Sequence, residues 1–280
     1  MRQCFSFSVI ITQRPSVGGA HPALGANCSQ RGATVSPTGG SSYQAVAAAA
    51  TSGYLSEMSL VLQSVLVAED LDRVRAELAA LTWSSGKRTA GSAARDVKEN
   101  LQADGSDPRV KELERFVVEA LRRHPLFEIA ARPARLSRLL FSRYEPGMTY
   151  GAHTDDALMG KGEDKLRTDL AFTIFLADSS SYEGGELVVD SALGEQGIKL
   201  EAGDAILYPA GSIHHVAPVT SGVRLAAVGW LQSFVSDPTQ RETLFDLSVT
   251  RSRLAAAGIA REELLKLDKS ISNLLRMWAR

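Results

Sequence analysis

With 280 residues, 44% of them hydrophobic and 22% charged, the chain has the composition of a globular protein able to bury a core. A formal net charge of -1 gives no bulk attraction to nucleic acid or to an anionic membrane, and no apolar run is long enough to span a bilayer. Its two cysteines, Cys4 and Cys28, both precede residue 29, so neither a disulfide framework nor a zinc-thiolate site supports the rest, and metal chemistry has to use nitrogen and oxygen ligands.

The first acidic residue is Glu57, and before it the only formal charges are Arg2, Arg14 and Arg31. This Ser-, Gly- and Ala-rich stretch has no sustained hydrophobic period, so residues 1–57 are expected to be a disordered leader outside the fold. Arg-bearing and acid-poor, it reads either as a transit peptide, which implies a mitochondrion or plastid, or as a start-site extension ahead of Met58, which implies the cytoplasm.

From Glu69 to Trp83, Leu71, Val74, Leu78 and Leu81 recur at helical spacing. A second helix begins with Asp107 as its cap and Pro108 at its first position. Together these predict a helical support region over 58–134. Short β-prone runs follow at Leu136 to Tyr144, Leu170 to Ala177, Glu186 to Asp190, Ala205 to Tyr208, Ile213 to Val219 and Val223 to Phe234, separated by turns such as Gly184-Gly185 and Gly203-Asp204. Short strands with no helix between them predict an antiparallel barrel or jelly roll over 135–236. Helical rhythm returns over 237–280, capped by Asp237 and Pro238 and ending with Leu264, Leu267, Ile271, Leu274 and Trp278. The expected fold is therefore mostly β with flanking helices (α+β).

His153-Thr154-Asp155 follows the first long strand, and residues two apart in an extended chain project from one face. One more histidine from a distant strand, His214 or His215, completes a 2-His-1-carboxylate site with open positions for a bidentate keto acid and O2. Ten residues after His214, Arg224 lies in an otherwise nearly apolar run; such an arginine either sits at the strand's exposed end or meets an anion. If it points into the barrel, its planar fork can hold the far carboxylate of 2-oxoglutarate.

Arg143-Tyr144, Gly147-Met148, Tyr150-Gly151, His153-Thr154-Asp155, Arg167-Thr168-Asp169-Leu170, Gly184-Gly185-Glu186-Leu187, Tyr208-Pro209, His214, Arg224 and Trp230 together resemble the PKHD-type hydroxylases, relatives of the prolyl 4-hydroxylase catalytic subunit among the Fe(II)/2-oxoglutarate dioxygenases. The resemblance runs from about Met58 onward. It implies a double-stranded β-helix core, His153, Asp155 and His214 as iron ligands in preference to His215, and Arg224 as the 2-oxoglutarate anchor. Tyr144, Thr173 and Trp230 are further candidates for the co-substrate pocket. Phe175 falls near where some relatives carry a tyrosine, and phenylalanine cannot donate that hydrogen bond. The implied cofactors are Fe(II), 2-oxoglutarate and O2, with ascorbate as an accessory.

The expected activity is hydroxylation of a prolyl- or lysyl-type side chain or a small metabolite, with succinate and CO2 as co-products. A cupin-like metalloprotein and a non-catalytic iron or 2-oxoglutarate sensor are the alternatives. No nucleic-acid or membrane partner is expected, and the apolar last helix offers a homodimer face.

Overall fold

The computed structural model describes residues 54–56, 59–192 and 194–280; the leader expected over residues 1–57 lies outside them except for 54–56. Strands β1 (Tyr54–Ser56) and β2 (Ser59–Leu62) lead to helix α1 (Ala68–Ala79), then β3 (Trp83–Ser85), α2 (Ser92–Arg95), β4 (Lys98–Glu99), β5 (Leu101–Ala103), α3 (Pro108–Arg123) and α4 (Pro125–Ala131). Next come β6 (Pro133–Leu136), β7 (Leu140–Tyr144), β8 (Thr149–His153), β9 (Leu158–Met159), β10 (Leu166–Arg167), β11 (Leu170–Phe175) and β12 (Tyr182–Gly184). Strands β13 (Leu187–Ser191), β14 (Gly194–Ile198), β15 (Ala205–Pro209), β16 (His214–Val216), β17 (Val219–Gly222) and β18 (Arg224–Ser233) precede α5 (Pro238–Ala256) and α6 (Arg261–Trp278).

Two antiparallel sheets face each other. The larger runs β1-β2-β15-β11-β18-β7-β5-β3, with β6 also on β18, and the smaller runs β14-β13-β16-β8-β4. The chain alternates between them (β7 large, β8 small, β11 large, β13 and β14 small, β15 large, β16 small, β18 large), which is the winding of a double-stranded β-helix.

Strand β11 shows why the large sheet sits in the middle. All six of its residues are buried: Leu170, Phe172 and Ile174 face a core shared with Leu113, Val117, Leu126 and Phe127 of the helices, whereas Ala171 and Phe175 face a second core inside the barrel. A strand covered on both sides reads as a nearly continuous apolar run, here interrupted only by Thr173, and each of its larger apolar side chains stabilises the fold by about 1.5–3 kcal/mol.

Local chemistry starts the helices. The Asp107 carboxylate accepts from Arg109 N at 2.9 Å, and Asp237 accepts from Gln240 N at 2.8 Å, each ahead of a proline in the first turn. At the β12–β17 crossing, Gly184 has φ +69°, and a Cβ there would lie 2.1 Å from the Pro218 carbonyl oxygen, so a side chain is barred twice over.

Several expectations need correction. The helix expected to reach Trp83 stops at Ala79, and Trp83 opens β3. The stretch expected to be helical support also supplies β2 and β5 to the large sheet and β4 to the small one. Tyr54–Ser56, at the end of the expected leader, pairs with β2. The run Leu136 to Tyr144 is two strands, β6 and β7, and Ile213 to Val219 splits between β16 and β17. No helix among the described residues is long and apolar enough to cross a membrane.

Candidate metal centre and co-substrate pocket

Strands β8 and β16 are neighbours in the small sheet, and their register sets His214 opposite His153. The two imidazoles lie 4.3 Å apart between centroids. Asp155 returns to the same place two residues after His153, and the three side chains offer ligand atoms all within 4.8 Å of one another. His215, whose backbone pairs with Val188 of β13, alternates to the other face of β16 and stays out of the cluster.

Hydrogen bonds fix the ring tautomers. His153 Nδ1 lies 2.8 Å from the Gly151 carbonyl oxygen and His214 Nδ1 3.0 Å from that of Ser212. A carbonyl only accepts, so each Nδ1 donates, and in the neutral ring that leaves the Nε2 lone pair for a metal. Burial, and next the neighbouring His214, lowers His153 to about 4, while burial raises Asp155. The Asp155 carboxylate faces His214 Nε2 at 3.9 Å, and its Oδ2 is buried with no hydrogen-bond partner. An orphaned carboxylate oxygen beside two imidazole nitrogens is a donor set that fits a divalent iron with open coordination positions. Tyr150 stacks on His153 at 3.7 Å and Tyr208 meets His214 edge-on at 5.3 Å, which holds both rings in place.

Arg224 opens β18 opposite Tyr144 on β7 and is only 1% exposed. Its guanidinium carbon lies 5.2 Å from the Tyr144 ring and 5.5 Å from that of Phe175, its Nε has no hydrogen-bond partner, and among the described residues it forms no ion pair. An interior cation without an anion is expensive, and this one faces the cavity.

A cavity of about 1120 Å³ joins the two ends, with His153, Asp155, His214, Arg224, Tyr144, Thr173 and Trp230 all on its wall. Trp230 approaches Asp155, and Thr173 approaches the buried Tyr208 hydroxyl, whose ionisation burial opposes. The volume accommodates 2-oxoglutarate together with a second molecule.

Other residues escape the sequence reading. Tyr182 is buried near Arg224 with its hydroxyl unpartnered, which places a donor close to the guanidinium where Phe175 supplies none. Lys98, Asn100 and Gln102 also line the cavity, each 4% exposed. Their alternation with exposed Glu99 and half-buried Leu101 is a period-2 signal of three polar residues, which does not look like a buried strand.

A family model described as the 2OG-Fe(II) oxygenase superfamily matches residues 139–232. The chain is 47% identical over 222 residues to a PKHD-type hydroxylase of Acaryochloris marina and 46% identical over 222 residues to one of Picosynechococcus sp., covering 79% of this chain and 100% of each relative. A PKHD-type hydroxylase of Hyphomonas neptunium is 42% identical over 226 residues, covering 79% of this chain and 99% of its own. Identity at this level, sustained along the relatives' length, shows that the chain belongs to the PKHD-type hydroxylases of the 2OG-Fe(II) oxygenase superfamily.

Proposed function

We propose that the protein is an Fe(II)- and 2-oxoglutarate-dependent dioxygenase that hydroxylates a small or side-chain-sized substrate, with His153, Asp155 and His214 holding iron and Arg224 holding the far carboxylate of 2-oxoglutarate. The observation that carries this reading is a pair of unmet charges in one cavity: an orphaned Asp155 oxygen between two imidazoles, and a buried guanidinium with no anion. A metal-only site leaves Arg224 without a partner, and a sensor releases no succinate.

Iron held there supplies activation of O2 and, with 2-oxoglutarate as electron donor, oxidation of a substrate C–H bond, leaving succinate and CO2. The chain supplies position and field. Arg224 offers two parallel donors to the distal carboxylate inside a wall of Tyr144 and Phe175, where low polarity strengthens the pair. Tyr182, Tyr144 and Thr173 are the hydroxyls available to complete that carboxylate's hydrogen bonds. Trp230 and Tyr208 flank the ligands and limit water.

The remaining assignments belong to the same proposal. Residues 135–236 form the catalytic unit, 58–134 and 237–280 brace it, and 1–57 stand outside it. The compartment follows from whether that leader is a transit peptide or a start-site extension. The small-molecule partner is the co-substrate 2-oxoglutarate, with neither nucleic acid nor membrane as a partner, and a homodimer would use α6, where Leu265 and Met277 are exposed. The test is anaerobic titration of the Fe(II)-loaded protein with 2-oxoglutarate, followed by O2. A metal-to-ligand charge-transfer band and then succinate are expected; a band without succinate indicates the sensor, and no band overturns the reading.

A further inference from the structure

Strands β4 and β5 close the open side of the barrel. Strand β4 pairs with β8 in the small sheet, Lys98 opposite Tyr150, while β5 pairs with β7 in the large sheet, Gln102 opposite Ser142. Asn100 bridges the two strands, so Lys98, Asn100 and Gln102 all lie on the cavity wall. This short segment joins the edges of both sheets and brings polar groups from each to the cavity wall.

Two of the three have no adequate protein partner. Lys98 is 4% exposed, and its Nζ reaches the Thr89 hydroxyl at 3.2 Å and lies 4.8 Å from the Tyr150 ring centroid; among the described residues no carboxylate comes within ion-pair distance, and the one whose charge it feels is the iron ligand Asp155. Gln102 is satisfied through Oε1, which accepts from the Thr89 hydroxyl at 2.7 Å. Asn100, also 4% exposed, leaves both its amide nitrogen and its amide oxygen unpartnered, although the Tyr144 hydroxyl lies near. A buried ammonium and an orphaned carboxamide on one wall are costly unless a ligand meets them.

The ligand they meet is not 2-oxoglutarate, whose two carboxylates are taken by iron and by Arg224. The rest of the wall repeats the sign of Lys98. Arg135 and Lys161 line the cavity without an acidic partner among the described residues, Arg138 pairs with Glu114, and apart from the ligand Asp155 the only acid on the wall is Asp156. With the charges of iron and 2-oxoglutarate cancelling, the cavity that receives the substrate remains positive.

Resting on the dioxygenase reading above, we propose that the substrate carries a free carboxylate, and that Lys98 pairs with it while the Asn100 amide fixes its orientation next to the metal ligands. Lys98 and Asn100 are then substrate-binding residues, and an amino acid or a chain-terminal residue is favoured over an internal residue of a polypeptide, whose carbonyl carries no charge.

The probes are matched pairs: N-acetyl-L-proline and N-acetyl-L-lysine, each with its amide, titrated without O2 into full-length protein carrying Fe(II) and 2-oxoglutarate. Binding is read by calorimetry and by the change in the charge-transfer band as a second molecule approaches iron. Wild type is expected to bind at least one acid and to bind its amide roughly a hundredfold more weakly. Lys98→Met should lose roughly the same factor for the acid while keeping wild-type affinity for 2-oxoglutarate. Asn100→Asp, which sets a negative charge beside the subsite, should also weaken the acid. The proposal is overturned if acid and amide bind alike, if neither acid binds, if Lys98→Met binds the acid as wild type does, or if it loses 2-oxoglutarate, which would assign Lys98 to the co-substrate. In all of these the wild-type band survives; its absence would instead remove the dioxygenase reading and this proposal with it.

Discussion

Replacing Arg224 by methionine should reverse its effect on stability according to whether 2-oxoglutarate is present. Without co-substrate, the guanidinium is 1% exposed, its Nε is unpartnered, and it rests against the Tyr144 and Phe175 rings. Methionine fills a similar length without the desolvated charge, so the variant should melt no lower than wild type, and higher by whatever the unpaired cation costs. With co-substrate the order changes. At a 2-oxoglutarate concentration of about 100 times the wild-type Kd, binding stabilises wild type by about 2.7 kcal/mol, which is roughly 5–10 °C for a protein of this size. Losing one side of a buried ion pair costs about 3–5 kcal/mol, or two to nearly four decades in affinity, so the variant gains at most about 0.4 kcal/mol from the same concentration. The assay is thermal unfolding of the Mn(II)-loaded proteins with and without 2-oxoglutarate, where manganese prevents turnover. A co-substrate shift in Arg224→Met equal to that of wild type would refute the assignment. A large loss of stability in the variant without co-substrate would show that the guanidinium has a structural partner. Arg224→Lys keeps the charge without the fork and should fall between.

The other predictions concern the ligands, a turn and the leader. His153→Ala, Asp155→Ala and His214→Ala should each abolish stoichiometric Mn(II) binding, measured by calorimetry, while leaving the melting temperature of the metal-free protein within a few degrees; His215→Ala should bind Mn(II) as wild type does, and the opposite result for His214 and His215 would reverse the choice of ligand. Gly184→Ala should destabilise by roughly 2–5 kcal/mol, because a left-handed backbone conformation is combined with a Cβ 2.1 Å from the Pro218 oxygen; an unchanged denaturation midpoint would mean that the β12–β17 crossing relaxes freely. Removal of residues 1–57 takes away, among the described residues, only the edge strand β1, so the truncated chain should stay folded and bind Mn(II); loss of metal binding would show that the leader contributes to the site.

What could be read from the sequence was set by how locally each feature is encoded. The helix caps at Asp107 and Asp237 act within three residues of themselves, so they stood out before any fold was known. Strand β11 was legible because burial on both faces leaves five of its six residues apolar, Thr173 being the exception, and Arg224 because a lone charge in a nearly apolar run is rare. Spacing alone left His214 and His215 open, the resemblance favoured His214, and the register of β16 sets His214 opposite His153. Lys98, Asn100 and Gln102 were missed for a stronger reason. Their strands are two and three residues long, and each is held by a partner about 40–50 positions away, β4 by β8 and β5 by β7. No local preference makes Lys-Glu-Asn-Leu-Gln extended; the two sheet edges do, and by holding it extended they turn every second side chain toward the cavity. A segment whose shape is imposed by distant strands can keep polar residues that favour no structure of its own. That freedom suits substrate recognition, since residues 98–102 can change the chemistry of the wall while β8, β16 and β18 keep the ligands and Arg224 in register.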